Sequence, residues 1–217
     1  MVMLKSRKHV FWEALIVTIF VFLVGFLVGI YIEQSNFNKL NDYSTLSEVS
    51  LMDGIALVEL SKENFSCEIL REKNIEFADK VFEEAKLLEE YEESGKLTES
   101  IKILHKKYDM LRTLAWISNS NAIDKCQNYD LIVYLYEYNP EGVNKKAAQS
   151  VWSRKLLDYK NENPNSVLLP ISANQEITSL KILIEKYGVE KIPSVIINNE
   201  RVIYEYDDLI IPSSDKN

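Results

Sequence analysis

The chain is short of the residues that most often carry site chemistry. It has two cysteines and two histidines in 217 residues. That stock rules out a disulfide-dense scaffold. Cys67, Cys126, His9 and His105 are also spaced unlike the ligands of any common zinc module, so no metal is expected. Glycine and proline are sparse, at six and five, and no repeat or low-complexity tract appears, which argues for an ordered chain. No glycine-rich nucleotide loop and no Ser-His-Asp pattern is visible, so the sequence implies no cofactor and no catalytic residue. Basic residues are outnumbered. The net charge is −8; Lys5, Arg7 and Lys8 supply +3 of it, which leaves −11 on residues 9–217. Nucleic acid is therefore not an expected partner, because phosphates demand a basic surface.

One feature the chain does have is a long apolar run. Phe11 to Ile32 reads FWEALIVTIFVFLVGFLVGIYI, with Glu13 as its single charge. A helix needs about 20 apolar residues to cross the hydrocarbon core, and only a helix satisfies its own backbone there. Basic residues before the run and Glu33 after it put the N-terminus in the cytoplasm and the rest outside the cell membrane. A cleaved signal peptide is the rival reading. Its apolar region is about 7–15 residues long and ends in a small-x-small site, which this run does not offer. Gly25 and Gly29 form a GxxxG pair, a spacing that would let two copies pack as a homodimer in the bilayer.

Residues 33–43 read as a linker. Beyond it, Thr45-Leu-Ser-Glu48 has the form of a capping box. Leu46, Val49, Ala56 and Leu60 mark one face of the helix that follows, interrupted by Asp53. A second helix runs from about Ser66, with Leu70, Phe77, Val81, Leu88 and Tyr91 on one side. Its carboxylate run Glu89-Glu-Tyr-Glu-Glu93 reads as a solvated face rather than a metal site. Ser94-Gly95-Lys96 breaks it, and Thr98 can cap a third helix. There Ile101, Leu104, Tyr108, Leu111 and Ala115 recur at spacings of 3, 4, 3 and 4. Helices two and three should form an antiparallel hairpin. His105 reads as a surface or helix-packing residue. Asn64-Phe-Ser66 fits the glycosylation pattern and should face outward.

In such a hairpin, residues equidistant from the turn lie side by side. Cys67 and Cys126 have their midpoint at 96.5, inside the predicted turn. Outside the cytoplasm they can bridge, and closing a loop of about 60 residues would stabilise the fold by roughly 4 kcal/mol. The alternative is two unrelated buried thiols. Redox-active cysteines usually sit close in sequence at a helix N-terminus, which this pair does not.

From residue 129 the period changes. Leu131–Tyr136 is continuously apolar, like a strand buried on both faces. Asn139-Pro-Glu-Gly142 is a turn, and Asn144–Lys160 is a helix with Ala148, Val151, Trp152, Leu156 and Tyr159 on one side. Ser166–Ile171, Ser194–Ile197 and Arg201–Tyr206 read as strands, and Gln175–Tyr187 as a helix. Asn198-Asn199 makes a tight turn, because Asn tolerates positive φ.

This βαβαββ order resembles the thioredoxin fold, most closely at Tyr187-Gly-Val-Glu-Lys-Ile-Pro-Ser-Val-Ile-Ile-Asn-Asn. Pro193 stands where that family carries a cis-proline beside its active site. The resemblance also exposes a loss. Aligning Tyr138–Val143 with the Cys-Pro-x-Cys of Dsb-type oxidoreductases puts Asn139 and Gly142 at the two cysteine positions, while Pro140 keeps the proline. Neither Asn nor Gly can exchange disulfides. What the resemblance leaves is a groove for extended polypeptide, floored by Asn139, Pro140, Glu141, Gly142, Val143, Ile192 and Pro193.

The expectation is a mixed α+β or α/β chain. Residues 1–10 are cytoplasmic, 11–32 cross the bilayer and 33–43 link. Residues 44–128 form the helical segment, 129–206 the thioredoxin-like domain and 207–217 a tail. The apolar run and its flanking charges suggest a membrane-anchored extracytoplasmic protein, and the resemblance implies that its non-catalytic domain binds a polypeptide partner, as a chaperone-like or structural subunit. Two alternatives stay open. One is a thiol-disulfide oxidoreductase using Cys67 and Cys126. The other is a scaffold that works through its helical hairpin.

Overall fold

A computed structural model describes residues 7–93, 99–123, 126 and 130–208. The expected turn at 94–96, the Thr98 cap and most of the tail lie outside the described residues. Helix α1 spans Arg7–Leu60. Within it Val10–Ile32, 23 residues, is long and apolar enough to cross a membrane, and none of it is buried against protein. Thr18 Oγ1 donates to the Ala14 carbonyl at 2.8 Å, so that hydroxyl is satisfied inside the helix. The helix continues through 33–43, where the sequence suggests a linker, and through the Thr45–Glu48 capping box. No Gly or Pro occurs in 33–48, so nothing there breaks the ladder, and a cap sequence starts no new helix where the preceding residues are already helical.

The chain divides into two compact units, Met1–Thr45 and Leu46–Asn217. In the second unit the end of α1 packs beside α2 (Cys67–Glu93) and α3 (Glu99–Ile123). Polar ties give the directions. Lys107 pairs with Glu48 at 2.9 Å and Asn121 donates to Ser61 Oγ at 3.0 Å, so α1 and α3 run parallel. Ser118 donates to Asn74 at 2.6 Å and Cys126 is bonded to Cys67, so α2 and α3 run antiparallel, as the hairpin arithmetic requires. Cys67 and Cys126 are joined as a disulfide, with Cα atoms 5.3 Å apart. All five members of the heptad stripe, Ile101 to Ala115, are buried.

The inward face of α1 is not the expected one. Ser47, Ser50, Gly54 and Ser61 are buried, while Leu46, Val49, Ala56 and Leu60 are exposed. The reason is close approach. A Cβ at Gly54 would sit 2.8 Å from Phe77 Cζ, so the helices meet where α1 has almost no side chain. Leu46, Val49 and Leu60 are turned away, while Leu51, Leu57 and Val58 are half-buried.

The sheet has strand order β2-β1-β3-β4. β1 (Leu131–Tyr136) pairs in parallel with β2 (Val167–Ser172) and antiparallel with β3 (Ser194–Ile197), which pairs antiparallel with β4 (Arg201–Ile203). α4 (Val143–Glu162) makes the β1–β2 crossover and α5 (Thr178–Lys186) leads to β3. Ile132, Tyr134, Leu168, Val195 and Ile197 form one core with Trp152 and Leu156 of α4. Successive strand residues point to opposite faces, so Leu131, Val133, Leu135, Leu169, Ile171 and Ile196 fill the other side; all are fully or almost fully buried. α3 and α5 lie there, and Trp116 stacks on Tyr187 with ring centres 5.3 Å apart. Ala148 and Val151, expected inward on α4, are exposed, because Trp152 and Leu156, with the half-buried Tyr159, carry its contact. Pro170 lies in β2, an edge strand, where a missing ladder donor is tolerated. Asn198 and Asn199 both have positive φ, 50° and 59°, as the β3–β4 turn requires.

Candidate functional site

The register of the sheet gathers the predicted groove residues at one end. Ser194 stands opposite Leu135, so Pro193 falls beside Tyr136, the last residue of β1. The Glu137–Gly142 loop leaves from that same residue. The Ile192–Pro193 peptide is cis. Pro140, Ile192 and Pro193 are half-buried, and Asn139, Glu141 and Gly142 are exposed. Val143 is 81% exposed at the start of α4. Asn139 and Gly142 both have positive φ, 49° and 95°, values that Asn and Gly tolerate better than other residues.

Two amide side chains fix the start of this loop. Gln149 accepts from the Glu137 amide at 3.0 Å and donates to the Glu137 carbonyl at 3.1 Å. Asn174 accepts from the Tyr138 amide at 2.7 Å and donates to its carbonyl at 3.1 Å. Each imitates a neighbouring strand, so the backbone is held without one. Lys145 and Glu137 add an ion pair at 2.8 Å. The first turn of α4 carries no acid and no side-chain cap.

Beneath the loop lies a polar cluster, of which only His105 stands out in the sequence; it is buried, a packing residue rather than a surface one. Asp109 of α3 is fully buried. It accepts from the Ser172 amide at 3.1 Å and, through a short hydrogen bond, from the Ser172 hydroxyl. Arg112 Nη1 lies 3.6 Å and His105 Nε2 3.4 Å from its carboxylate. His105 Nε2 also meets the Tyr136 hydroxyl at 3.2 Å, and its ring lies 4.1 Å from that of Tyr138. Burial pushes the Asp109 carboxyl above the usual range, against the pull of His105, Arg112 and Ser172.

Ser172, His105 and Asp109 are thus brought together, although no such set is legible in sequence. They do not form a nucleophilic relay. The serine proton is given to the carboxylate rather than to the imidazole, and all three side chains are buried. The arrangement is a bolt between α3 and the ends of β1 and β2. His105, Asp109, Arg112 and Trp116 recur at spacings of 4, 3 and 4, a second stripe beside the apolar one, and that regularity was the available signal.

The disulfide lies at the other pole. His105 meets Tyr136 at the far end of β1, whereas Trp116 donates to Asn199 at 3.0 Å, in the turn beside the start of β1. Cys126 lies beyond that end of α3, its amide donating to the Ala122 carbonyl at 2.8 Å. Asn64 of the sequon is exposed. An open depression of about 580 Å³ runs along β4, lined by Lys191, Arg201, Tyr204, Glu205 and Asp208 among others. It shares no lining residue with the Asn139–Val143 and Ile192–Pro193 surface. Among the described residues no group of His, Cys, Asp and Glu could hold a metal. Comparison with protein families, curated protein sequences and solved structures finds no match to this chain.

Proposed function

We propose that residues 129–206 are a thioredoxin-like module that has lost its redox motif and binds an extended segment of polypeptide across Asn139–Val143 and Ile192–Pro193. It is carried by a single-pass membrane protein with a cytoplasmic N-terminus and an extracytoplasmic body, in a chaperone-like or structural role. One observation carries the reading. The β2-β1-β3-β4 order has a parallel first pair, antiparallel neighbours, and a proline at the mouth of β3 beside the end of β1. The braced loop supports it, because a held backbone loses less freedom when a segment binds. Lys5, Arg7 and Lys8 before the apolar run support the orientation, and a disulfide suits an oxidising compartment. The oxidoreductase alternative would need Cys67 and Cys126 near Pro193, and the opposite poles of β1 speak against it.

The test uses the full-length protein in nanodiscs with a reduced, alkylated, unfolded polypeptide as probe. A photo-crosslinking residue at Val143 should capture the probe, and one at Ile182 of α5, which is also exposed, should not. Insulin disulfides should stay intact. Catalytic insulin reduction that Cys67→Ser abolishes would replace this reading with the enzyme.

A further inference from the structure

Between Leu46 and Leu60, α1 leaves a row of large apolar residues without a partner. Its small residues Ser47, Ser50 and Gly54 are buried and Leu51, Leu57 and Val58 are half-buried, while Leu46, Val49, Met52, Ile55 and Leu60 face water. Val49 is 61% and Met52 69% exposed, and Leu46 and Leu60 are exposed as well. Leu46, Val49, Asp53, Ala56 and Leu60 recur at spacings of 3, 4, 3 and 4. That is the a/d seam of a coiled coil, two heptads long, set roughly 110° around the helix from the row of Ser47, Ser50 and Gly54 that is buried. Asp53 sits in the middle of the seam. It is exposed, and among the described residues it has no ion pair. The flanking Glu48 and Glu59 are already paired, with Lys107 and Lys62.

We propose that this face docks an amphipathic helix of a partner protein that sets a Lys or Arg against Asp53. An apolar seam of this spacing fits a helix, and one unpaired carboxylate within it selects a cation. A second copy of this chain fits less well. Anchored copies would align in parallel and put Asp53 beside Asp53, a like-charge contact in a desolvated seam. A lipid surface fits less well too. Helices that lie on membranes carry Lys and Arg on their polar face, whereas Glu48, Asp53 and Glu59 surround this stripe. The inference does not depend on the polypeptide groove, which lies on other elements.

The experiment uses full-length protein in nanodiscs of neutral lipid. The probe is a designed amphipathic peptide with a leucine seam and a lysine at the position facing Asp53. A matched peptide carries glutamate there. The lysine peptide should bind at least about tenfold more tightly, and Asp53→Asn should erase most of that difference. Val49→Glu should abolish binding of both peptides with the unfolding midpoint unchanged, since the side chain is exposed. A fluorophore on Met52→Cys should shift to shorter wavelength only when the lysine peptide is added. Equal binding of the two peptides, or binding that survives Val49→Glu, would overturn the proposal. So would a fluorophore shift with protein concentration alone, which would assign the face to a second copy. A shift on moving to anionic vesicles alone would assign it to lipid.

Discussion

The two halves of the second unit bury different things. The half built on α4 and the sheet is filled mainly with hydrocarbon, Ile132, Trp152, Leu156, Val195 and their neighbours, and its buried polar residues, Asp130, Ser166, Ser172 and Ser194, lie at strand ends. The helical half buries Ser47, Ser50, Asn74, Glu84, His105, Asp109, Arg112, Ser118 and Asn119 as well as its apolar stripe. A hydrocarbon core is driven by area removed from water and tolerates repacking. A buried polar group contributes only when its partner is in place, and costs more than it gives when the partner is lost. The sheet should therefore be robust to change and the helical layer unforgiving.

The largest effect should come from the bolt that joins the halves. Asp109→Ala leaves the buried Arg112 without its carboxylate and frees the Ser172 hydroxyl, and should cost about 3–5 kcal/mol in urea unfolding. If the loss is below about 1 kcal/mol, the contrast between the halves fails. Next comes the disulfide. Replacing both Cys67 and Cys126 by Ser should cost about 3–4 kcal/mol, because the closed loop has a sequence separation of 59 residues. Hydrogen exchange should rise first in α2 and α3, with β1 and β3 still protected; uniform loss would mean that the halves do not open separately. The smallest effect concerns Glu84, whose carboxyl is raised by burial, against Lys80, Ser50 and Tyr108. Its folded pKa exceeds the unfolded value of about 4.3, so the folded state binds the proton more tightly. Its stabilising contribution is complete below the unfolded pKa and is lost as pH rises through the folded one. Lys80, Ser50 and Tyr108 offset part of the effect of burial, so Glu84→Gln should flatten the pH dependence of stability by no more than about 0.5 kcal/mol. A wild-type slope of the opposite sign that the variant removes would refute it.

Much of the sheet half could be read from residues alone. Leu131–Tyr136 and Ser194–Ile197 are strands with the expected bounds, because a strand buried on both faces writes an unbroken apolar run. The turn at Asn198-Asn199 was legible because few residue types accept its backbone angles. The hairpin and its cysteine bridge followed from counting along the chain. The side of α1 that packs did not. Gly54 and three serines mark a contact by their smallness, a signal that hydrophobic periodicity cannot see. Nor did the Asp109 cluster, since Ser172 and Asp109 are 63 positions apart and meet only through the fold. Of the candidate groove, the residues could be named from sequence, whereas their braces, Gln149 and Asn174, could not.

The placement of α3 has a practical consequence. It clothes the side of the sheet that α4 leaves bare, touching β2 and reaching the β3–β4 turn through Trp116. A recombinant fragment begun at residue 129 would enter solution half undressed, with Leu131, Val133, Ile171 and Ile196 showing. Anyone wishing to crystallise the strands must keep the helices, and the natural place to cut is near Leu46.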